Sequence, residues 1–81
     1  MNTLINLEAR ADKIKVTDQE LIVFLVDGRK LEVPLAWFPK LRSAAKIKRN
    51  KYRLVGDGVG IHWPLLNEDL SIEGLLGIKA G

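Results

Sequence analysis

Short stretches of alternating hydrophobic and polar residues divide this chain of 81 residues into β-strands with one buried face each. In the first stretch, Ile14 and Val16 alternate with polar neighbours over residues 13–17. The next stretch, residues 21–26, is apolar throughout and rich in β-branched side chains. It therefore predicts a central strand that is covered on both faces.

A hairpin is predicted after this central strand. The dipeptide Asp27-Gly28 separates it from residues 30–33, in which Leu31 and Val33 alternate with charged residues. Glycine tolerates the positive φ that the primed hairpin turns require, so we expect a tight turn with Leu31 and Val33 pointing inward.

A second pair of strands is predicted in the last third of the chain. Residues 51–55 alternate again, and we expect Tyr52 and Leu54 to point inward. The Gly-Asp-Gly sequence at 56–58 predicts a tight turn. The strand after it is expected to place Val59, Ile61 and Trp63 on its inner face.

One principal helix is predicted between the two pairs of strands. Leu41 and the alanines that follow it have helical spacing, and Pro39 suits the first turn of a helix, so we expect a helix over residues 39–47. From Asn67 onward the tail is interpreted as turn and cap residues before one short helical turn. Ser71 is the expected N-cap of that turn.

Together these elements predict an α+β fold in a single small domain over residues 1–81. It has a small antiparallel sheet of about four to five strands, one principal helix on one face, and a short C-terminal helical turn. Residues 1–11 show no convincing period and are interpreted as a loose N-terminal arm. With 47% hydrophobic and 28% charged residues, the composition is that of an ordinary globular protein.

The charge of the chain is unevenly distributed, although the net charge is only +3. More than half of the 13 basic residues lie within residues 40–53, and no acid lies between Pro34 and Gly56. We expect the basic side chains to form one exposed surface, with the sheet hiding the indoles. The candidate binding residues are Lys40, Arg42, Lys46, Lys48, Arg49, Lys51 and Arg53.

This basic segment has two interpretations. Lysine and arginine neutralise phosphates, and neighbouring aromatic rings stack on bases, which would suit nucleic acid. A solvated helix face near the negative pole of a helix dipole explains most of the same residues. The aromatic residues Trp37, Phe38 and Trp63 are expected in the core, the alternative being that one indole stays exposed as an anchor for a partner.

No catalytic or metal-binding pattern stands out in the sequence. His62 is the only histidine and its sequence neighbours offer no base or nucleophile, which favours a structural or hydrogen-bonding role. Glu68 and Asp69 are adjacent, so on a regular element they point apart. The absence of cysteine excludes thiol chemistry and cysteine-ligated metals. We therefore expect a protein that is not an enzyme and has no cofactor and no metal.

No membrane span or signal peptide is visible in the sequence. The longest apolar run, residues 21–26, is too short to cross a bilayer. Residues 1–8 lack the basic start and long apolar centre of a signal peptide. We expect a cytoplasmic protein with no membrane partner.

Two aromatic–proline motifs, with the segments around them, give the chain a resemblance to a known family. The matching segments cover about residues 13–76 and are Asp27-Gly28-Arg29, Val33-Pro34-Leu35-Ala36-Trp37-Phe38-Pro39-Lys40-Leu41, Tyr52-Arg53-Leu54, Gly58-Val59-Gly60-Ile61-His62-Trp63-Pro64 and Glu68-Asp69-Leu70-Ser71-Ile72-Glu73-Gly74-Leu75-Leu76. They resemble the bacterial domain-of-unknown-function family numbered twenty-four forty-two. The resemblance implies a small cytoplasmic bacterial protein. Some members resemble antitoxins, some carry a helix-turn-helix domain after this one, and the family offers no catalytic residues to carry over.

We therefore expect a non-enzymatic interaction module of a regulatory or antitoxin-like system. It would bind a protein partner, such as a toxin-like neighbour, through the basic segment and the nearby aromatic residues. The alternative is a nucleic-acid-binding accessory or transcriptional-regulator domain that uses residues 40–53. The sequence is also compatible with a homo-oligomer.

Overall fold

The protein contains two three-stranded antiparallel sheets, in a computed structural model that describes residues 7–77. In each sheet, strands that follow one another in sequence are neighbours. The α+β class is confirmed, whereas the single sheet of four to five strands is wrong. The strands are β1 (Ala11–Val16), β2 (Glu20–Leu25), β3 (Lys30–Pro34), β4 (Arg53–Val55), β5 (Gly60–Trp63) and β6 (Glu68–Ser71).

The helices are short, and the continuous helix predicted over residues 39–47 is wrong. Ala44 and the residue after it are extended, with ψ of 148° and 147°, so the chain leaves the helix after about one turn. Two contacts favour the break: the Ser43 hydroxyl donates to the Pro39 carbonyl at 2.6 Å, and Arg49 Nη2 donates to the Ala44 carbonyl at 3.1 Å. The helical elements are a 3₁₀ turn (Leu35–Trp37), α1 (Pro39–Ser43), α2 (Lys46–Arg49) and α3 (Ile72–Leu76).

The N-terminal sheet, β1 to β3, has one face that packs on the core. Its register shifts between Ala11 and Lys13, which places Ala11 and Ile14 on the same buried face although they are three residues apart. On β2 the alternation is strict, because Ile22 and Phe24 are only partly buried. The prediction that both faces of this strand are covered is therefore wrong for one face. The buried residues of β2 are Leu21, Val23 and Leu25.

The hairpin between β2 and β3 occurs where it was predicted, with a different turn. Gly28 has a φ of 97° and donates its N–H to the Leu25 carbonyl at 3.0 Å, while the Leu25 N–H donates to the Arg29 carbonyl at 2.8 Å. Val26 and Asp27 keep negative φ. The result is a three-residue loop with one left-handed glycine instead of a two-residue primed turn, in which Asp27 would also need a positive φ. Asp27 instead keeps a negative φ, and its carboxylate accepts the N–H groups of Glu8 and Arg29.

In the C-terminal sheet, β4 to β6, the predicted tight turn connects β4 to β5. Residues 56–58 all have positive φ, at 59°, 61° and 92°. Ile61 and Trp63 are entirely buried, as predicted. Val59 is 48% exposed, so its predicted inward orientation is wrong. The reason is that Val59 still belongs to the turn, and β5 begins only at Gly60.

Strand β6 was not predicted, because residues 67–71 read as turn and cap residues. Leu70 nevertheless pairs with Ile61 of β5 and is half-buried against the core. The predicted cap after this strand is confirmed, since the Ser71 hydroxyl accepts the N–H of Gly74 at 2.9 Å and α3 begins at the next residue.

The two sheets meet beside β1 through individual contacts, not a shared ladder. The Ala11 N–H donates to the Gly58 carbonyl at 2.7 Å, and the Tyr52 hydroxyl donates to the Ile14 carbonyl at 3.1 Å. The inner faces of both sheets and the buried sides of the helices form one core. Its fully buried residues are Ala11, Ile14, Leu21, Val23, Leu25, Val33, Leu35, Leu41, Ile61, Trp63, Ile72 and Leu75.

The start of the described chain is held against the hairpin. Residues 1–6 of the predicted arm lie outside the described residues, and residues 7–10 have no regular structure. The Glu8 N–H donates to the Asp27 carboxylate at 2.9 Å. Over residues 7–77 the helices are all too short to cross a membrane.

Candidate interaction surface

Residues 35–52 link the two sheets, and we call them the inter-sheet connection. Leu35 and Leu41 are entirely buried and hold this connection on the core. Most of its long side chains face solvent, so the connection has an anchored side and an exposed side. The exposed large or basic residues are Trp37, Lys40, Arg42, Lys46, Ile47, Lys48 and Lys51.

The exposure of Trp37 follows from the local fold. Pro34 ends β3, the Leu35 N–H donates to the Gln19 carbonyl at 2.9 Å, and the Phe38 N–H closes a 3₁₀ turn on the Leu35 carbonyl at 2.8 Å. This tight turn directs Leu35 into the core and leaves Trp37 56% exposed. The expectation that Trp37 is a core residue is wrong, and the alternative of an exposed indole applies to it.

The other two candidate anchors are not exposed in this way. Trp63 is entirely buried, donates its Nε1–H to the Arg49 carbonyl at 2.9 Å, and lies 6.2 Å from the Tyr52 ring between centroids. Phe38 is partly buried and packs against the core. Trp63 is therefore a core residue, as expected from the sequence, and is excluded as an anchor for a partner in this fold.

Arg49 differs from the other basic residues of the segment. Its side chain is 11% exposed, and its guanidinium donates to the carbonyls of Thr17 and Ala44 at 3.2 and 3.1 Å. The Asp18 carboxylate is 3.8 Å away and mostly exposed, so that ion pair contributes little. Arg49 holds the turn between β1 and β2 against the connection. Its prediction as a partner-binding residue is corrected, because Nη1 and Nη2 donate to backbone carbonyls and Nε is buried, without a hydrogen-bond partner among the described residues.

Arg53 lies outside the connection, on the solvent face of the C-terminal sheet. The strand register places Arg53, His62 and Asp69 in one row across β4, β5 and β6. His62 Nδ1 and Asp69 Oδ1 are 2.7 Å apart, which confirms a hydrogen-bonding histidine. Asp69 was not predicted as this partner, because residues 67–71 read as turn and cap residues and not as a strand. A hairpin in which residue 63 pairs with residue 68 would also pair residue 62 with residue 69.

The exposed cations are distributed over several places. Lys40 Nζ donates to the Asn67 carbonyl in the turn between β5 and β6, at 3.1 Å. Arg42 and Lys46 line two shallow depressions of about 250 and 450 Å³ that both include Asp18. The seven predicted side chains therefore do not form one surface, since the Arg49 side chain is only 11% exposed and Arg53 lies on a sheet. Five remain exposed on the connection: Lys40, Arg42, Lys46, Lys48 and Lys51.

The described residues offer no catalytic arrangement around His62. The Ser71 hydroxyl in the adjacent row is occupied as the cap of α3, where it accepts the Gly74 N–H. Within residues 7–77 there is also no group of three or more histidine, aspartate or glutamate side chains that could hold a metal ion. The Asp69 carboxylate instead fixes the orientation of the imidazole ring.

Among the described residues 7–77, Asp27 is the group with a clearly shifted pKa. The Arg29 side chain donates to its carboxylate from Nε at 3.0 Å and Nη2 at 2.8 Å. The backbone N–H groups of Glu8 and Arg29 donate to the same carboxylate at 2.9 and 3.0 Å. These bonds, the Arg29 side chain foremost, hold the pKa of Asp27 well below its usual range. Asp27 thereby supports the hairpin structurally.

The fold is similar to that of a solved structure that is described as a protein of unknown function. The crystal structure of a protein of unknown function from Rhodospirillum rubrum ATCC 11170, at 2.75 Å resolution, matches with a TM-score of 0.73 and 30% sequence identity over 83% of each chain. No curated protein matches the sequence. Residues 11–81 match the family described as "Protein of unknown function (DUF2442)". The chain therefore belongs to the DUF2442 family.

Proposed function

We propose that this protein is a non-enzymatic interaction module that binds an acidic protein surface through its inter-sheet connection. The observation that carries this proposal is the 56% exposure of Trp37 on a connection that is anchored by buried leucines. Tryptophan is among the residues that most often dominate binding energy at interfaces. An indole held in place by a rigid turn loses little conformational entropy on binding.

A second apolar side chain of the inter-sheet connection is also exposed. Ile47, on α2, is 68% exposed and lies between Lys46 and Lys48 in sequence. An exposed isoleucine beside two lysines suits a partner with an apolar contact and acidic neighbours. Because the connection contains no acid, an acidic partner would meet no like charge within it.

The partner is expected in a bacterial regulatory or antitoxin-like system. This expectation rests on the family resemblance, in which some members are antitoxin-like. A toxin-like product of a neighbouring gene is therefore the first partner to test. The hydrogen bond between His62 and Asp69, and the use of Ser71 as a helix cap, support a structural role for these groups and a module without enzymatic activity.

The test is co-expression with the neighbouring gene product, followed by titration of the purified pair by isothermal calorimetry. Trp37→Ala is expected to weaken binding by about 2 kcal/mol or more, the loss typical of a hot-spot residue. The charge reversal Lys46→Glu/Lys48→Glu/Lys51→Glu should abolish binding. The matched control is Lys13→Glu/Lys15→Glu/Lys30→Glu, which makes the same charge change on the N-terminal sheet. Equal losses for the two triple variants, or normal binding by Trp37→Ala, would refute the proposed surface.

A further inference from the structure

The solvent face of the N-terminal sheet presents an aromatic ring between two lysines. The register pairs Lys13 of β1, Phe24 of β2 and Lys30 of β3 in one row across the three strands. The Nζ atoms of Lys13 and Lys30 lie 5.1 and 5.8 Å from the centroid of the Phe24 ring. Both distances fall within the range of cation–π contacts.

This ring lies on the side of β2 that faces away from the core. Alternate residues of the same strand, Leu21, Val23 and Leu25, supply its buried contacts. In the next row across the sheet, Lys15 and Glu32 flank Ile22. The face therefore combines an aromatic ring with three exposed lysines, and the row that contains Phe24 carries no acid, whereas the row beside it carries Glu32.

We propose that this face binds single-stranded nucleic acid, with one base stacked on Phe24 and neighbouring phosphates contacted by Lys13 and Lys30. Stacking a base on an aromatic side chain contributes about 1–3 kcal/mol. An exposed cation–π contact contributes about 0.5–1 kcal/mol. Replacing a lysine ammonium group by a base on the Phe24 ring is therefore favourable. The displaced ammonium group then contacts a phosphate of the bound strand.

A single strand fits this face better than a duplex. The bases of a duplex are already stacked on one another, so a ring on a flat sheet could not reach their faces. A duplex would use only the lysines, whereas an unpaired base can also use Phe24. Because stacking is tolerant of base identity, we expect little sequence preference.

The test is fluorescence anisotropy with a labelled oligothymidylate of about 12 nucleotides, a length within the usual range of such sites. Phe24→Leu keeps an apolar side chain and removes the ring, and it should weaken binding by about 5- to 150-fold. The matched control Trp37→Leu removes an exposed ring elsewhere and should leave the affinity unchanged. A thermal melt by circular dichroism verifies that each variant is folded.

The two lysines are tested through the salt dependence. Lys13→Gln/Lys30→Gln should lower the affinity and reduce the slope of log K against log salt by about 1.4, or about 0.7 for each lost phosphate contact. The control Lys46→Gln/Lys48→Gln makes the same charge change on the inter-sheet connection and should leave the slope unchanged.

Several results would overturn this inference. One is the absence of binding at about 50 mM salt, where phosphate contacts are strong. Others are equal affinity for duplex and single strand, competition by inorganic polyphosphate as effective as by unlabelled oligothymidylate, or full binding by Phe24→Leu. If Lys46→Gln/Lys48→Gln lowers the affinity and the salt slope more than Lys13→Gln/Lys30→Gln does, the binding site lies on the inter-sheet connection instead.

Discussion

Gly58→Ala is expected to disrupt the junction of the two sheets. A Cβ at this position would lie 2.4 Å from the Ala11 carbonyl oxygen and 3.2 Å from the Ala11 nitrogen, and the φ of Gly58 is +92°. Both neighbours are backbone atoms, so the clash cannot be relieved by rotating a side chain. The same residue accepts the 2.7 Å hydrogen bond from Ala11, so relief of the clash also stretches that bond.

The expected loss can be worked out from two contributions. Left-handed strain in a residue with a side chain costs about 1–3 kcal/mol, and overpacking at a tight contact costs about 1–3 kcal/mol more. The sum, about 2–6 kcal/mol, is a large part of the roughly 4–12 kcal/mol expected for a chain of this length. The melting temperature should fall by about 10 °C or more.

Gly28→Ala is the matched control for this experiment. Gly28 has a φ of +97°, nearly that of Gly58, but a Cβ there meets no atom within 4 Å. Gly28→Ala therefore measures the backbone strain alone, and the difference between the variants measures the contact between the sheets. The assay is urea unfolding followed by tryptophan fluorescence, since Trp63 is entirely buried. If Gly58→Ala is no less stable than Gly28→Ala, the tight junction is refuted.

Three further predictions concern side chains that hold the fold. Arg49→Met should lower the free energy of unfolding, measured by urea titration, by about 2–3 kcal/mol, because it leaves two carbonyls without their charged donor. The control Arg42→Met replaces an exposed arginine and should change this free energy by less than about 0.5 kcal/mol. Ser71→Ala should cost about 0.5–2 kcal/mol in thermal unfolding through loss of the α3 cap, and no loss would refute the cap. Because the folded pKa of Asp27 is depressed, its stabilisation is present above the unfolded pKa of about 3.9 and is lost as pH falls below it. Asp27→Asn should therefore be less stable than the wild type at pH 7, and its urea midpoint should fall less on acidification to about pH 3; an identical acid profile would contradict this role.

The sequence pattern located the N-terminal sheet well, because β1 and β3 alternate between apolar and polar residues and β2 is a short apolar run rich in β-branched residues. It failed at the helix over residues 39–47, where the helical spacing is real but Arg49 takes the Ala44 carbonyl that a continuous helix would use. That contact depends on tertiary structure and leaves no periodic signal. Strand β6 was missed for a different reason, since an edge strand with acidic residues resembles a turn.

The candidate surface was predictable only in part. Trp37 and Trp63 both lie close to a proline in sequence, yet one is exposed and the other entirely buried. Local sequence cannot distinguish them, because a 3₁₀ turn directs the first outward and a strand register directs the second inward. The basic residues show the same limit, since Arg49 and Lys48 are adjacent but only Arg49 is enclosed.

Arg49 also determines how the connection can open. Its guanidinium bonds to the turn of the N-terminal sheet, while its own carbonyl accepts the Nε1–H of Trp63 from the C-terminal sheet. Helix α2 therefore cannot fray without releasing a tryptophan from the interior. The amide protons of Lys48 and Arg49, which both donate to the Ala45 carbonyl at 3.0 Å, should therefore exchange with solvent more slowly than those of Lys46 and Ile47, which open the helix and have no partner within it.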